Sequence, residues 1–148
     1  MTPALTPLMT LEVEVSPPVS VDAGAHGRRV IPITGGRVSG AYTGRVLPGA
    51  DWQTIWPDGR MELDAHYVLD IDGHGTVEVI SQGVRHGPPE VLAKLARGEA
   101  VDPSLYYFRT SIRLRTAAPG LSRLNAVLAL ATGERRVSLV VLQVFEIG

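Results

Sequence analysis

The stretch Gly83-Val84-Arg85-His86-Gly87-Pro88-Pro89, followed directly by Glu90 to Ala96, is where the chain leaves a sheet for a helix. Strand-like runs lead into it, Met61 to Ile71 and Thr76 to Gln82, and another begins at Tyr106. Proline in the first helical turn costs little, because those amides have no intrahelical partner. A helix of two to three turns is marginal alone. We therefore predict that it caps one end of a barrel.

The sequence on both sides of this stretch has the period-2 alternation of half-buried strands. Leu11 to Val15 alternates apolar and acidic residues, and Tyr106 to Arg115 alternates apolar and polar ones. Pro57-Asp58-Gly59 and Asp72-Gly73-His74-Gly75 mark tight turns. Regularly spaced strands with short turns favour a sandwich or an up-and-down barrel. We predict an all-β fold, an antiparallel barrel of roughly eight to ten strands with one short capping helix, as a single domain over residues 1–148.

Several segments carry more local expectations. Val21 to Arg28 has the glycines of an exposed turn, and Pro32 places the run from Arg29 to Thr34 at an edge or bulge. A further strand is expected from Arg37 to Val46. Leu124 to Ala131 and Val137 to Ile147 are strongly apolar, and the residues between them indicate a hairpin turn.

Composition limits the classes of protein to consider. Apolar residues make up 45% of the 148 and charged residues 20%, which is typical of a folded domain with a substantial core. The formal charge of −1 gives no electrostatic reason to expect a nucleic-acid or membrane partner. The chain has no cysteine, which excludes disulfides, thiolate catalysis and cysteine-ligated zinc. With no signal-peptide pattern and no apolar run of about 18 residues, we expect a cytoplasmic location.

The order of several motifs resembles a family of small bacterial and fungal proteins known as domain of unknown function 3237. The resemblance covers nearly the whole chain, and it implies a single-domain antiparallel barrel that forms a homo-oligomer. It brings no agreed reaction, cofactor or catalytic residue. Arg123 stands where the family tends to have an aromatic residue, just before Leu124-Asn125. The motifs are Ile31 to Gly36, Gly44 to Trp52, Asp58 to Ala65, Gly83 to Pro88, Gly98 to Pro103 and Tyr106 to Arg109.

Three ionisable residues are the catalytic candidates: Asp64, Arg85 and Arg109. A carboxylate on the polar face of the strand from Arg60 to Asp70 would have a raised pKa inside a barrel and could act as a base. Arginine stays charged and offers a planar fork to a carboxylate, phosphate or enolate oxygen. The alternative is structural: Asp64 faces solvent or pairs with a neighbouring arginine, and the arginines close the barrel end by ion pairs.

The remaining candidates are ligand-binding residues. His66 alternates with Asp64 on one strand face, so both could enter one lumen about 7 Å apart. Metal binding is not expected, because the four histidines have no HxH or HxxxH spacing. There is likewise no phosphate loop and no nucleophile elbow. Aromatic residues could line a pocket, although such residues more often form core. The ligand-binding candidates are Asp51, Trp52, His66, His86, Tyr107 and Asn125.

Three functions fit these observations. The first is an enzyme without a cofactor that isomerises, cyclises or eliminates on a small apolar molecule with an oxygen function, with Asp64 as base and Arg85 or Arg109 as oxyanion partner. The second is a lipocalin-like carrier or sensor that uses the same lumen. The third is an assembly protein with a filled lumen, in which the run from Val137 to Ile147 serves as an interface.

Overall fold

The fold is a closed antiparallel β-barrel, seen in a computed structural model that describes residues 1–21 and 26–148. One α-helix, α1 (Pro89–Ala96), and two 3₁₀ helices (Pro103–Leu105 and Ser122–Ala126) join the strands. The predicted all-β barrel with one short helix is thereby confirmed. The strands are β1 (Leu5–Val15), β2 (Val19–Val21), β3 (Gly27–Gly40), β4 (Gly44–Val46), β5 (Gly49–Ile55), β6 (Met61–Ile71), β7 (Gly75–His86), β8 (Tyr107–Arg115), β9 (Leu128–Arg135) and β10 (Leu139–Ile147).

Closure comes from the pairing of β1 with both β10 and β3. From β10 the sheet continues through β9, β8, β7 and β6, and β4 and β5 then bridge β6 back to β3. These two short strands occupy one position of the wall, so eight positions form the barrel and β2 extends one edge of β3. Against β6 the register of β4 and β5 differs by one residue, across Leu47-Pro48. This change of register falls at Pro48, which has no N–H to donate to a ladder.

Several strand bounds differ from the predicted ones. Strand β3 continues through Pro32 to Gly40. The ladder of β3 with β2 ends at Val30, and its ladder with β1 begins at Ile33. Pro32 lies between these two ladders, so the strand can continue through it. Residues 124–126 belong to a 3₁₀ helix rather than a strand, and β9 continues into the expected turn as far as Arg135. The exposed turn predicted from Val21 to Arg28 lies partly outside the described residues.

The two ends of the barrel are closed differently. At one end Leu121 and Leu124, at most 1% exposed, belong to the hydrophobic core. The half of the lumen above them is packed with hydrocarbon, which stabilises the barrel by burying apolar surface. Its largest buried residues, with under 2% exposure, are Leu11, Val38, Leu69, Val77, Val79 and Ile112.

Helix α1 lies across the opposite end, as predicted. It begins with Pro89 in its first turn, and its buried residues Val91 and Leu95 join the barrel core. Leu92 lies against the β5–β6 turn, where a Cβ on Gly59 would be 3.0 Å from its Cδ1. The helix has eight residues, and no helix of residues 1–21 and 26–148 has the length and hydropathy of a membrane crossing.

Candidate functional site

The lumen opens beneath α1 into two connected spaces. The inner one, the chamber, has a volume of about 50 Å³ and lies between the barrel walls. The outer one, the vestibule, has a volume of about 680 Å³ and lies between α1 and the barrel mouth. Val15, Arg85 and Arg135 line both spaces, so the two arginines stand at the neck between them. The chamber has room for a functional group, whereas the vestibule has the size of an ordinary small-molecule pocket.

Asp51 contributes the only carboxylate among the described residues that line the chamber. Its Oδ2 accepts a hydrogen bond from Gln53 Nε2 at 2.7 Å, and its Oδ1 accepts one from the main-chain N–H of Asp64 at 3.1 Å. Burial raises the pKa of Asp51, and these two hydrogen bonds oppose the rise only in part. A carboxyl group with a raised pKa is a stronger base once it is ionised.

Gln53 connects Asp51 to a guanidinium. Its Oε1 accepts from Arg29 Nε at 2.8 Å, while its Nε2 donates to Asp51. The register of β3 and β5 explains this contact, because Arg29 lies directly opposite Gln53 in the ladder. Gln53 is 3% exposed, so the amide is fixed between a cation and an anion.

Arg85 and Arg135 bring positive charge to the neck. Burial, together with the charges of Arg29 and Arg135, lowers the pKa of Arg85 to about 10. Burial also lowers the pKa of Arg135. For Arg29, burial and the charge of Arg135 both lower the pKa. All three guanidiniums remain charged at neutral pH, and their mutual repulsion makes the neck a place where a negative charge is stabilised.

Unpaired polar atoms collect around the same chamber. Within residues 1–21 and 26–148, four buried side-chain atoms have no hydrogen-bond partner: Tyr67 Oη, Arg85 Nε, Thr110 Oγ1 and Arg135 Nη1. All four residues line the chamber. Because buried polar groups normally have partners, these atoms indicate a space that water or a ligand oxygen fills.

Asp64 and His66 lie on the outer face of β6, not in the lumen. Both are exposed: Gln82 Nε2 donates to Asp64 Oδ1 at 3.3 Å, and His66 Nε2 lies 2.7 Å from Glu78 Oε2. The predicted alternation of β6 is correct, but the face turned inward is the apolar one with Leu63. Hydrophobic burial therefore decides which face points inward.

Arg109, Tyr107 and His86 form an exposed group outside the barrel. The guanidinium of Arg109 lies 5.4 Å from the centre of the Tyr107 ring, and its Nη1 donates to the carbonyl of Phe108 at 2.8 Å. The ring of His86 stacks on Tyr107 at 5.1 Å. Of the three proposed catalytic residues, only Arg85 therefore reaches the cavity.

Trp52 and Asn125 also lie away from the chamber. Trp52 is 42% exposed, and the Arg28 guanidinium lies 5.3 Å from its ring. Asn125 holds a loop: its Oδ1 accepts from the Thr116 N–H, and its Nδ2 donates to the carbonyls of Thr116 and Ser122, all at 2.8–3.1 Å. Among the six ligand-binding candidates, Asp51 is the one that the fold brings to the chamber.

Sequence reasoning missed Arg29, Gln53, Thr110 and Arg135. Arg135 was assigned to a turn, although β9 extends through it. The available signal was alternation from Ala129 and Ala131, which places Arg135 on the inner face. In the part of the chain that the structure describes, no three His, Asp or Glu side chains are close enough to hold a metal ion.

Known proteins are similar to this chain in sequence and in fold. A UPF0311 protein from Bradyrhizobium diazoefficiens is 40% identical over 99% of both chains. A crystal structure of a protein of unknown function from Rhodopseudomonas palustris is 40% identical, covers all of both chains and has a TM-score of 0.91. A β-barrel-like protein from Acinetobacter baumannii is 34% identical over 100% of this chain and 98% of the other, with a TM-score of 0.85.

A more distant structure, described as an enzyme from Penicillium herquei, is 20% identical over 100% of this chain and 96% of the other, with a TM-score of 0.74. At that identity the likeness shows a shared fold alone. The model of one family matches residues 3–147, nearly the whole chain. The chain therefore belongs to the family described as Protein of unknown function (DUF3237), as its motifs predicted.

Proposed function

We propose that the barrel binds a small, mostly apolar molecule with an oxygen function and catalyses a proton transfer on it without a cofactor. Isomerisation, cyclisation and elimination all belong to this class. The observation that carries the proposal is that Asp51 and Arg85 line one buried chamber, the first as a carboxyl group of raised pKa and the second with an unpaired Nε.

In the proposed step, ionised Asp51 removes a proton from the carbon next to a substrate carbonyl. The electrons of that C–H bond move into the carbonyl, and Arg85 donates a hydrogen bond to the resulting enolate oxygen. Asp51 then returns the proton to the same carbon or, where the substrate has a β,γ double bond, to the γ carbon of the conjugated dienolate. The second outcome moves the double bond next to the carbonyl, which isomerises the substrate with no net gain or loss of atoms. Asp51 takes the role expected of Asp64, because Asp64 lies outside the barrel.

A deuterium-exchange experiment tests the step directly. The protein is incubated in D₂O with apolar enolisable ketones such as 2-tetralone, and loss of the α-proton signal is followed by NMR. We expect exchange above the buffer rate that Asp51→Asn lowers by at least about 100-fold, the usual range for loss of a general base. Asp64→Asn serves as the comparison, because its carboxylate lies on the outer face.

The other outcomes separate the competing functions. Exchange that Asp64→Asn abolishes and Asp51→Asn preserves would return the catalytic role to Asp64. Binding of the ketones without exchange would contradict catalysis and favour the carrier. The absence of both would contradict this ligand class, and the assembly protein would then gain support from the hydrocarbon that fills the other half of the lumen.

A further inference from the structure

The cavity beneath α1 carries an excess of positive charge. Arg85 and Arg135 line both the chamber and the vestibule, and Arg29 lines the vestibule. Among the described residues that line either space, Asp51 is the single acid. Arg97 also lines the vestibule but pairs with Glu99, so three other guanidiniums face one carboxyl group.

Asp51 does not pair with the arginines at the neck. Its two oxygens accept from Gln53 and from the Asp64 amide. No ion pair of the described residues includes Arg85 or Arg135, whereas the outer arginines Arg37 and Arg45 each contact a carboxylate within 3.1 Å. Buried guanidiniums are seldom left without a partner anion.

The wall around the neck shows what else a ligand needs. The vestibule is lined by Ile55, Leu92 and Val137, so it favours an apolar body. The chamber is too small for such a body, at about 50 Å³, but it has room for a charged head group. The polar contacts available there include the unpaired Nε of Arg85 and Nη1 of Arg135.

We propose that the ligand is an apolar carboxylic acid whose carboxylate lies between Arg85 and Arg135 while its hydrocarbon body fills the vestibule beneath α1. This inference deepens the proposed function and depends on the same cavity being the ligand site. A guanidinium has five N–H donors, so Arg85 can hold a carboxylate and also contact a neighbouring carbonyl oxygen. Arg135 then determines specificity for the acid.

Three probes with one hydrocarbon body test the proposal by calorimetry: 4-phenylbutanoate, 4-phenylbutanamide and 4-phenylbutylamine. We expect the acid to bind at least about tenfold more tightly than the amide, because it forms charged hydrogen bonds with the guanidiniums, and the amine to bind most weakly. Arg135→Met should remove most of the preference for the acid. Arg135→Lys should keep part of it, because it preserves the charge and loses the fork.

Arg113→Met is the matched control. Arg113 lies on the outer face of β8 and is exposed, so its loss should leave the acid preference unchanged. Salt provides a measurement on the unaltered protein, in case Arg135→Met does not fold. The affinity for the acid should fall as sodium chloride rises, and the affinity for the amide should change little.

Equal affinity for acid and amide, or an acid affinity that salt leaves unchanged, would overturn the proposal. The outcome is distinct from that of the deuterium experiment. Preference for the acid with no proton exchange would refute catalysis and leave the acid site standing. Exchange on neutral ketones with no preference for the acid would support catalysis and refute the acid site.

Discussion

Asp51 makes a testable link between protonation and stability. Burial raises its folded pKa above the ordinary value of 3.8. The folded state therefore holds this proton more tightly than the unfolded state does. The stability that Asp51 contributes is fully present below pH 3.8 and is lost as the pH rises through the folded pKa.

We predict that Asp51→Asn removes this loss of stability at rising pH. Between about pH 4 and neutral, the unaltered protein should lose free energy of unfolding relative to the variant, by about 1.4 kcal/mol for each unit that separates the folded and unfolded pKa. Urea unfolding of both proteins from pH 4 to pH 8 measures the difference. A difference that stays constant over this range would mean that Asp51 is as well solvated as in the unfolded chain.

Gly133 supports a further prediction, because the Phe108 ring packs against its backbone. A Cβ at this position would lie 2.6 Å from Cγ and Cδ1 of the ring, so Gly133→Ala must displace a wall of the chamber. We expect a loss of about 1–3 kcal/mol in the free energy of unfolding, as in other overpacked cores. Gly35→Ala is the control, since its new Cβ would lie 3.5 Å from Glu14 Oε2, an ordinary contact. Thermal unfolding that shows equal losses in the two variants would contradict the prediction.

Asp64 and Asp51 show how far the position of a single side chain can be predicted from the sequence. The alternation of β6 separated its two faces correctly, yet alternation alone does not say which face closes inward. Asp51 reaches the chamber through the hairpin of β5 with β6 and through the pairing of β5 with β3, and the second pairing joins segments that no local turn signal connects. Arg85 was identified because it stands beside the recognisable glycine and proline motif. Arg29 and Arg135 lie in segments that were interpreted as an edge and a turn.

Among the elements, α1 was the easiest to predict. Its prolines and its apolar residues indicated a helix from Glu90 to Ala96, and the observed helix spans Pro89–Ala96. The 3₁₀ helix Ser122–Ala126 was missed, because Leu124 is as apolar as a strand residue. Its burial at the barrel end is a tertiary contact, which local periodicity does not report.

Helix α1 also carries the prediction for this scale. Leu95 is 8% exposed at the barrel mouth, and a helix of eight residues depends on such contacts. We expect Leu95→Ala to cost about 2 kcal/mol, the low end for a truncated core leucine. Hydrogen exchange should quicken in residues 89–96 more than in the strands.

Lys94→Ala is the matched control for this change. Lys94 is exposed on the same helix, so its truncation should leave exchange in α1 unchanged. Faster exchange in every strand of Leu95→Ala, to the same degree as in α1, would show that the helix unfolds only together with the barrel.

At the scale of the molecule, the barrel combines a filled half with a polar half. The order of strands was predictable as antiparallel neighbours, but closure of β1 on β3 and β10 follows from long-range pairing. Self-association, which the family resemblance implies, stays a prediction that light scattering can test. Strand β10 forms part of the barrel wall, with Leu142 and Val144 buried.

Because one cavity joins charged residues from β3, β5, β7 and β9, a ligand there should stabilise the whole barrel. We predict that 4-phenylbutanoate at 100 times its Kd adds about 2.7 kcal/mol and raises Tm by about 5–10 °C. The strands of the barrel should unfold as one unit, so hydrogen exchange should slow in strands on every side of the barrel. If protection rises only in residues 89–96, the acid binds the surface of α1, and the neck between Arg85 and Arg135 is not its site.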